Sequence, residues 1–338
     1  MRASLIALLA FAAGILAMLL AQGRLPHHPI EQALRVQAAA PVATQPPLDD
    51  AEAPALPQDD WPEQAPTPEQ VLYTQPQLLD AALARLGPRV PGRPNLYLLA
   101  FAGDGSEDVF HNEAEYAARL FTRRFGATAH ALVLENSPDT LSTRPLATWS
   151  NLESALDGLA DAMDPRQDVL LLYLSTHGSE DHTLLVDMDP LPLDQIGAQD
   201  LGAILAARPF KWKVVVVNAC YSGGFIPSLQ GEGTLVLTAA RSDRSSFGCG
   251  NDSAATYFGR AWLIDALNHT PDFIAAFAQA KGEITKWERQ ERLLPSEPQM
   301  AIGKGIAEQL ARWRQGLKPG PAVPFQQPRQ SAPLAAHH

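Results

Sequence analysis

A chain of 338 residues, 46% of them apolar, is long enough to bury one sizeable core, while 29 prolines exclude a compact fold along its whole length. The net charge of −11 excludes a nucleic-acid backbone or an anionic membrane surface held by charge alone, because either would repel the protein on approach. One domain with disordered flanks is the expectation.

The first element is an uncharged apolar run from Ser4 to Ala21, set between Arg2 and Arg24. Its eighteen residues at a helical rise of about 1.5 Å span roughly 27 Å, close to a bilayer's hydrocarbon thickness. Residues 1–25 therefore read as a signal anchor or a signal peptide. Leu19 fits the small-x-small rule of a cleavage site poorly, which favours the anchor. Either reading carries the rest of the chain across the membrane, to the periplasmic or extracellular side. The protein would be secreted if the segment is cleaved, and this segment alone would touch lipid. From 26 to 94 the chain is rich in Pro, Ala, Gln and acids and reads as a disordered tether. Within it, Gln75 to Leu86 has helical spacing and stops at Gly87-Pro88.

Between 95 and 316 short apolar runs alternate with amphipathic stretches, the signature of a mostly parallel sheet covered by helices on both faces. The runs are Leu96–Ala102, Ala129–Leu134, Val169–Ser175, Val214–Ala219 and Leu235–Ala239. Their lack of polar alternation predicts strands buried on both sides. Helices are predicted over Glu113–Phe125, Thr148–Met163, Leu201–Ala206, Tyr257–Leu267 and Pro271–Arg292, the last with Thr270 as cap and Pro271 at the first helical position. Residues 317–338 read as a disordered tail.

In open α/β sheets reactive residues gather beyond the carboxyl ends of the central strands. Two strands here end in such residues: Val169–Ser175 runs into Thr176-His177-Gly178, and Val214–Ala219 runs into Cys220-Tyr221-Ser222-Gly223-Gly224. A thiol attacks a carbonyl as the thiolate and needs a base or cation beside it, a role that histidine fills near neutral pH. Gly178 permits close backbone approach, and its N–H with that of Cys220 would form an oxyanion hole. Gly223 and Gly224 are expected to free the backbone for a sharp turn after the nucleophile. A metal is not expected, since His182 with Asp181, Asp187 and Asp189 fits no zinc spacing. Gly103-Asp104-Gly105 lacks the remaining glycine of a dinucleotide loop.

The separation of 43 residues between His177 and Cys220 is near the roughly 50 of the caspase signature. The strand followed by His177-Gly178, and the second strand followed by Cys220-x-Ser222-Gly223, resemble the legumain family of the caspase-like clan over about Asn95 to Arg314. The resemblance implies a caspase-like three-layer sandwich. It also implies a cysteine endopeptidase acting on polypeptides through a Cys220–His177 dyad, with no cofactor. Phe110 to Glu115 resembles the helix start that carries the family's substrate-binding Arg-His pair, with His111 in place of the Arg. Asn218 stands where the family has a Glu two residues before the nucleophile. The loop through Ser245 and Ser246 to Asp252 resembles the one that lines the S1 pocket, so His111, Asn218, Ser246 and Asp252 are the expected substrate contacts. Two alternatives stay open: a transpeptidase or transamidase of the same fold, and a catalytically silent peptide-binding module closed by a Cys220–Cys249 disulfide.

Overall fold

The computed structural model describes residues 61–62, 64–250 and 253–326. The apolar run Ser4–Ala21 lies outside them. Among the described residues no helix is long and apolar enough to cross a membrane.

The predicted strands appear within a residue or two of their expected limits: β1 (Leu96–Ala102), β2 (Ala129–Glu135), β3 (Val169–Ser175), β6 (Trp212–Asn218) and β7 (Thr234–Thr238). They pair in the order β2-β1-β3-β6-β7, all parallel, and β8 (Gln299–Ile302) adds an antiparallel edge beside β7. A small hairpin, β4 (Thr183–Leu184) with β5 (Ile196–Gly197), stands apart from this sheet.

The unbroken hydrophobicity of the strands has a direct cause. Successive side chains point to opposite faces, and each face carries its own core. Leu96, Leu98, Leu171, Tyr173, Val214, Val216 and Leu237 pack against α2 (Asp108–Phe125), α5 (257–269), α6 (Phe273–Glu291) and α7 (Ile306–Arg314). Tyr97, Leu99, Leu170, Leu172, Val215 and Val217 pack against α1 (Pro68–Leu83), α3 (Trp149–Ala162) and α4 (Ala198–Ala206). The result is the expected α/β sandwich of three layers.

Three expectations need correction. The segment 26–94 is not a tether throughout: α1 begins at Pro68, where a missing N–H costs nothing, and Thr67 caps it by accepting the Gln70 N–H at 3.3 Å. Val71, Gln75 and Leu79 of α1 are buried, and the Gln75 carboxamide oxygen accepts from Leu146 N and Asn151 Nδ2 at 2.7 and 2.8 Å. Beyond α1, Arg89 forms a fork to Asp168 through Nε (2.8 Å) and Nη2 (3.0 Å), tying the approach to β1 to the base of β3. Nor is the start of the 317–338 segment a frayed end. Arg124 exchanges 2.7 Å hydrogen bonds with the backbone of Gly320 at both the N–H and the C=O, and the Asn268 carboxamide does the same for Val323 at 2.8 and 3.0 Å. In the first segment the side chains themselves reach distant partners; in the second, the Arg124 and Asn268 side chains satisfy backbone that local composition leaves unpaired. Finally, α6 is capped by Asp272, whose carboxylate accepts the N–H groups of Ile274 and Ala275 at 3.1 Å; Thr270 accepts the Asp272 N–H one step earlier.

Candidate active site

Parallel register sets the site. Ser175 at the end of β3 lies opposite Asn218 at the end of β6, so His177 and Cys220 each stand two residues past paired positions on adjacent strands. Thr176 N–H donates to Asn218 O at 3.3 Å, carrying the alignment past the sheet. Gly178 lies against the Cys220 carbonyl so closely that a methyl group there would overlap it, which is why this position takes glycine. Among the described residues neither the Gly178 N–H nor the Cys220 N–H has an acceptor, so both remain available to an oxyanion.

The chain turns sharply after the thiol, but not at the expected glycines. Tyr221 itself takes the left-handed conformation (φ 55°), with its N–H donated to Arg244 O at 2.8 Å. Gly223 and Gly224 have ordinary φ values and serve by lacking a side chain: a methyl on Gly224 would meet the His182 ring.

The Cys220 sulfur is held by the loop after β7. Ser246 N–H donates to Sγ at 3.2 Å, and Ser246 Oγ lies 3.5 Å from it. Cys249 is a second neighbour of this sulfur, and both cysteines are free thiols. The hydrogen bond from Cys249, then those from Ser246, and the charge of His177 outweigh burial and bring the Cys220 thiol down to about 5. The partner thiol moves the opposite way: the hydrogen bond to Cys220 and burial push Cys249 up.

The imidazole of His177 is oriented by residues that sequence reasoning did not assign. Its Nε2 lies 3.1 Å from Glu107 Oε2 and 3.5 Å from Asp104 Oδ2, and Phe110 meets the ring edge-on at 5.0 Å between centroids. With Nε2 engaged by carboxylates, Nδ1 is the nitrogen left for a proton acceptor's role. The signal for these acids was present: Gly103-Asp104-Gly105 follows β1, β1 is the sheet neighbour of β3, and any acid in that loop falls at the same rim.

Directly beneath the rim lies a second polar group. Glu113 of α2 is fully buried and accepts five hydrogen bonds, from Tyr173 Oη, Ser175 Oγ and Asn218 Nδ2 at 2.7 Å each, and from Thr256 N and Oγ1 at 2.7 and 2.8 Å. Burial pushes its carboxyl up, against the pull of those donors. Gly259, in the π-helical segment Gly259–Ala266 of α5, packs against this carboxylate so closely that no Cβ would fit. The network joins α2, β3, β6 and α5 under the rim that carries His177 and Cys220.

The remaining expected contacts fall in different places. Ser246 is at the Cys220 sulfur, as its bonds to Sγ show. Asn218 is buried and turned inward to Glu113, as part of the rim's foundation. His111 turns away, with Nδ1 3.0 Å from Glu135 Oε2, and lines a cavity of about 640 Å³ whose walls include Arg85, Arg119 and Arg144 but neither His177 nor Cys220. Burial opposes charge on His111, but the hydrogen bond and charge of Glu135, with Glu115 and Asp108, hold its pKa above the ordinary value. Asp252 lies outside the described residues.

No curated protein matches the chain. Residues 160–309 match the model of the Peptidase C13 family, a family of cysteine peptidases. The matched segment runs from the end of α3 into α7; it contains β3, β6, β7 and both rim residues, and leaves β1, α2 and β2 outside. With a mostly parallel six-stranded sheet between two helical layers, the fold is caspase-like, and over residues 160–309 the chain is similar to the legumain-type cysteine peptidases of the Peptidase C13 family.

Proposed function

We propose that this protein is an endopeptidase in which Cys220 is the nucleophile and His177 the proton carrier. The observation that carries the reading is the register of β3 and β6, which end side by side and set His177 and Cys220 two residues past paired positions at one rim, with the Ser246 N–H donated to the Cys220 sulfur at 3.2 Å. The thiolate attacks a peptide carbonyl to form a tetrahedral intermediate, whose oxyanion takes hydrogen bonds from the Gly178 and Cys220 N–H groups. His177 Nδ1 delivers its proton to the leaving amine, and the same nitrogen then removes a proton from the water that cleaves the thioester. Glu107 and Asp104 hold the ring in place during both transfers, acting as positioning residues. Ser4–Ala21 serves to bring this domain to the exported side of a membrane.

The test is digestion of a peptide library by the purified protein, with products read by mass spectrometry. Cleavage by the wild type, abolished in Cys220→Ala and in His177→Ala while both variants remain folded, is the expected result. Full activity in either variant overturns the assignment. Products carrying an added amine in place of water identify the thioester's acceptor as another peptide.

A further inference from the structure

We propose that Asp104, Glu107 and His177 form a binding site for a borderline divalent metal ion, with Zn2+ the best fit, whose occupation silences the peptidase. The inhibitory half rests on the reading of His177 as the proton carrier; the binding half does not.

The geometry is that of an incomplete coordination shell. One donor atom from each of the three residues lies within 4.8 Å of the other two, with His177 Nε2 at 3.1 Å from Glu107 and 3.5 Å from Asp104. Nitrogen and oxygen ligands sit about 2.0–2.2 Å from a tetrahedral zinc, which puts neighbouring ligands about 3.4 Å apart. The ligands are also fixed from behind. Asp104, only 1% exposed, has its other oxygen held by Ser106 N and Oγ at 2.8 Å each, so Oδ2 is the atom left facing the site. The edge of Phe110 restrains the imidazole. Such outer partners are what hold a ligand set in place.

Charge and ligand type agree. Asp187 pairs with Asp104 through a backbone bridge. Among the described residues no lysine or arginine forms an ion pair with Asp104, Glu107, Asp187 or Asp189, so His177 alone faces several acids. An imidazole with two carboxylates suits zinc better than calcium or magnesium, which favour all-oxygen shells, and three protein ligands leave a position for water. The consequence for the imidazole follows from proton accounting. A neutral ring whose Nε2–H faces the carboxylates keeps its lone pair on Nδ1. When Nε2 binds the ion, that proton moves to Nδ1, and no lone pair remains for a thiol or for water.

The experiment is calorimetric titration of the full chain with ZnCl2 in a Cys220→Ser/Cys249→Ser background, so that thiols do not ligate, with far-ultraviolet circular dichroism as the folding control. One ion per chain is expected, weakened by Glu107→Gln and by His177→Asn by at least the roughly 10- to 100-fold that losing an outer partner costs, and not reproduced by Ca2+ or Mg2+. In the protein with both cysteines, Zn2+ is expected to stop peptide hydrolysis and EDTA to restore it. No binding in the thiol-free background, or binding indifferent to both folded variants, overturns the site and leaves the peptidase reading standing. Binding at the site without loss of hydrolysis overturns the inhibitory half and the role of His177 with it.

Discussion

Two groups of acids lie at the end of β3, one above the other, and they differ in what surrounds them. Glu107 and Asp104 meet a part-exposed histidine at a rim open to solvent, whereas Glu113 is sealed under that rim by five neutral donors and has no ion-pair partner among the described residues. An acid beside an imidazole at a surface tunes a proton carrier. An acid saturated with donors in the core locks the elements that supply those donors, at the cost of its desolvation. On the proposed reading the upper pair serves chemistry and the lower one architecture, though both are carboxylates on neighbouring elements.

The comparison is sharpened by substitutions whose effects divide between activity and stability. The largest expected effect is on the rim: Cys220→Ala should lower peptide hydrolysis by about 10⁴-fold or more with an unchanged melting temperature, measured by a fluorogenic substrate and calorimetry. Glu113→Ala should do the reverse, costing about 3–5 kcal/mol of stability in urea denaturation by stranding Tyr173, Ser175, Asn218 and Thr256. An unchanged midpoint there would remove the architectural role. Its pH dependence has a definite sign. Because the folded carboxyl is raised, protons leave the unfolded state first, and wild-type stability relative to Glu113→Gln should fall as pH rises through the folded value.

Glu107→Gln should reduce turnover by about 10²-fold, less than the loss of a sole orienting acid, because Asp104 still faces the ring. Rescue by Glu107→Asp, with the pH profile moved in Gln and restored in Asp, would separate positioning from packing. The smallest effect concerns the second thiol. In the wild type, iodoacetamide should label Cys220 above about pH 5 and lose that reactivity as the pH falls through it, since the thiolate is the reactive form. Cys249→Ala removes the leading donor and should move this midpoint upward while changing turnover at pH 7 by less than about threefold. A midpoint that stays in place would mean that Ser246 and His177 alone hold the charge.

Much of this protein was readable along the chain. Strands buried on both faces announce themselves as unbroken Val and Leu runs, and a reactive residue at the end of each of two such runs falls on one rim in any parallel sheet. Local pattern thus determined β1, β2, β3, β6 and β7, the α/β layering and the placing of His177 and Cys220. The tertiary structure decided whatever depends on residues far apart in the chain. It seats α1 through Gln75 on α3, straps residues 317–326 through Arg124 and Asn268, and turns Glu107 and Asp104 onto His177. It also turns His111 away toward Glu135, and it sets Cys249 beside Cys220 with both thiols free. The physical reason is one of range. Hydrophobic period and strand length are properties of neighbours in sequence, but a side chain's hydrogen-bond partner is chosen by which strands the sheet puts next to each other.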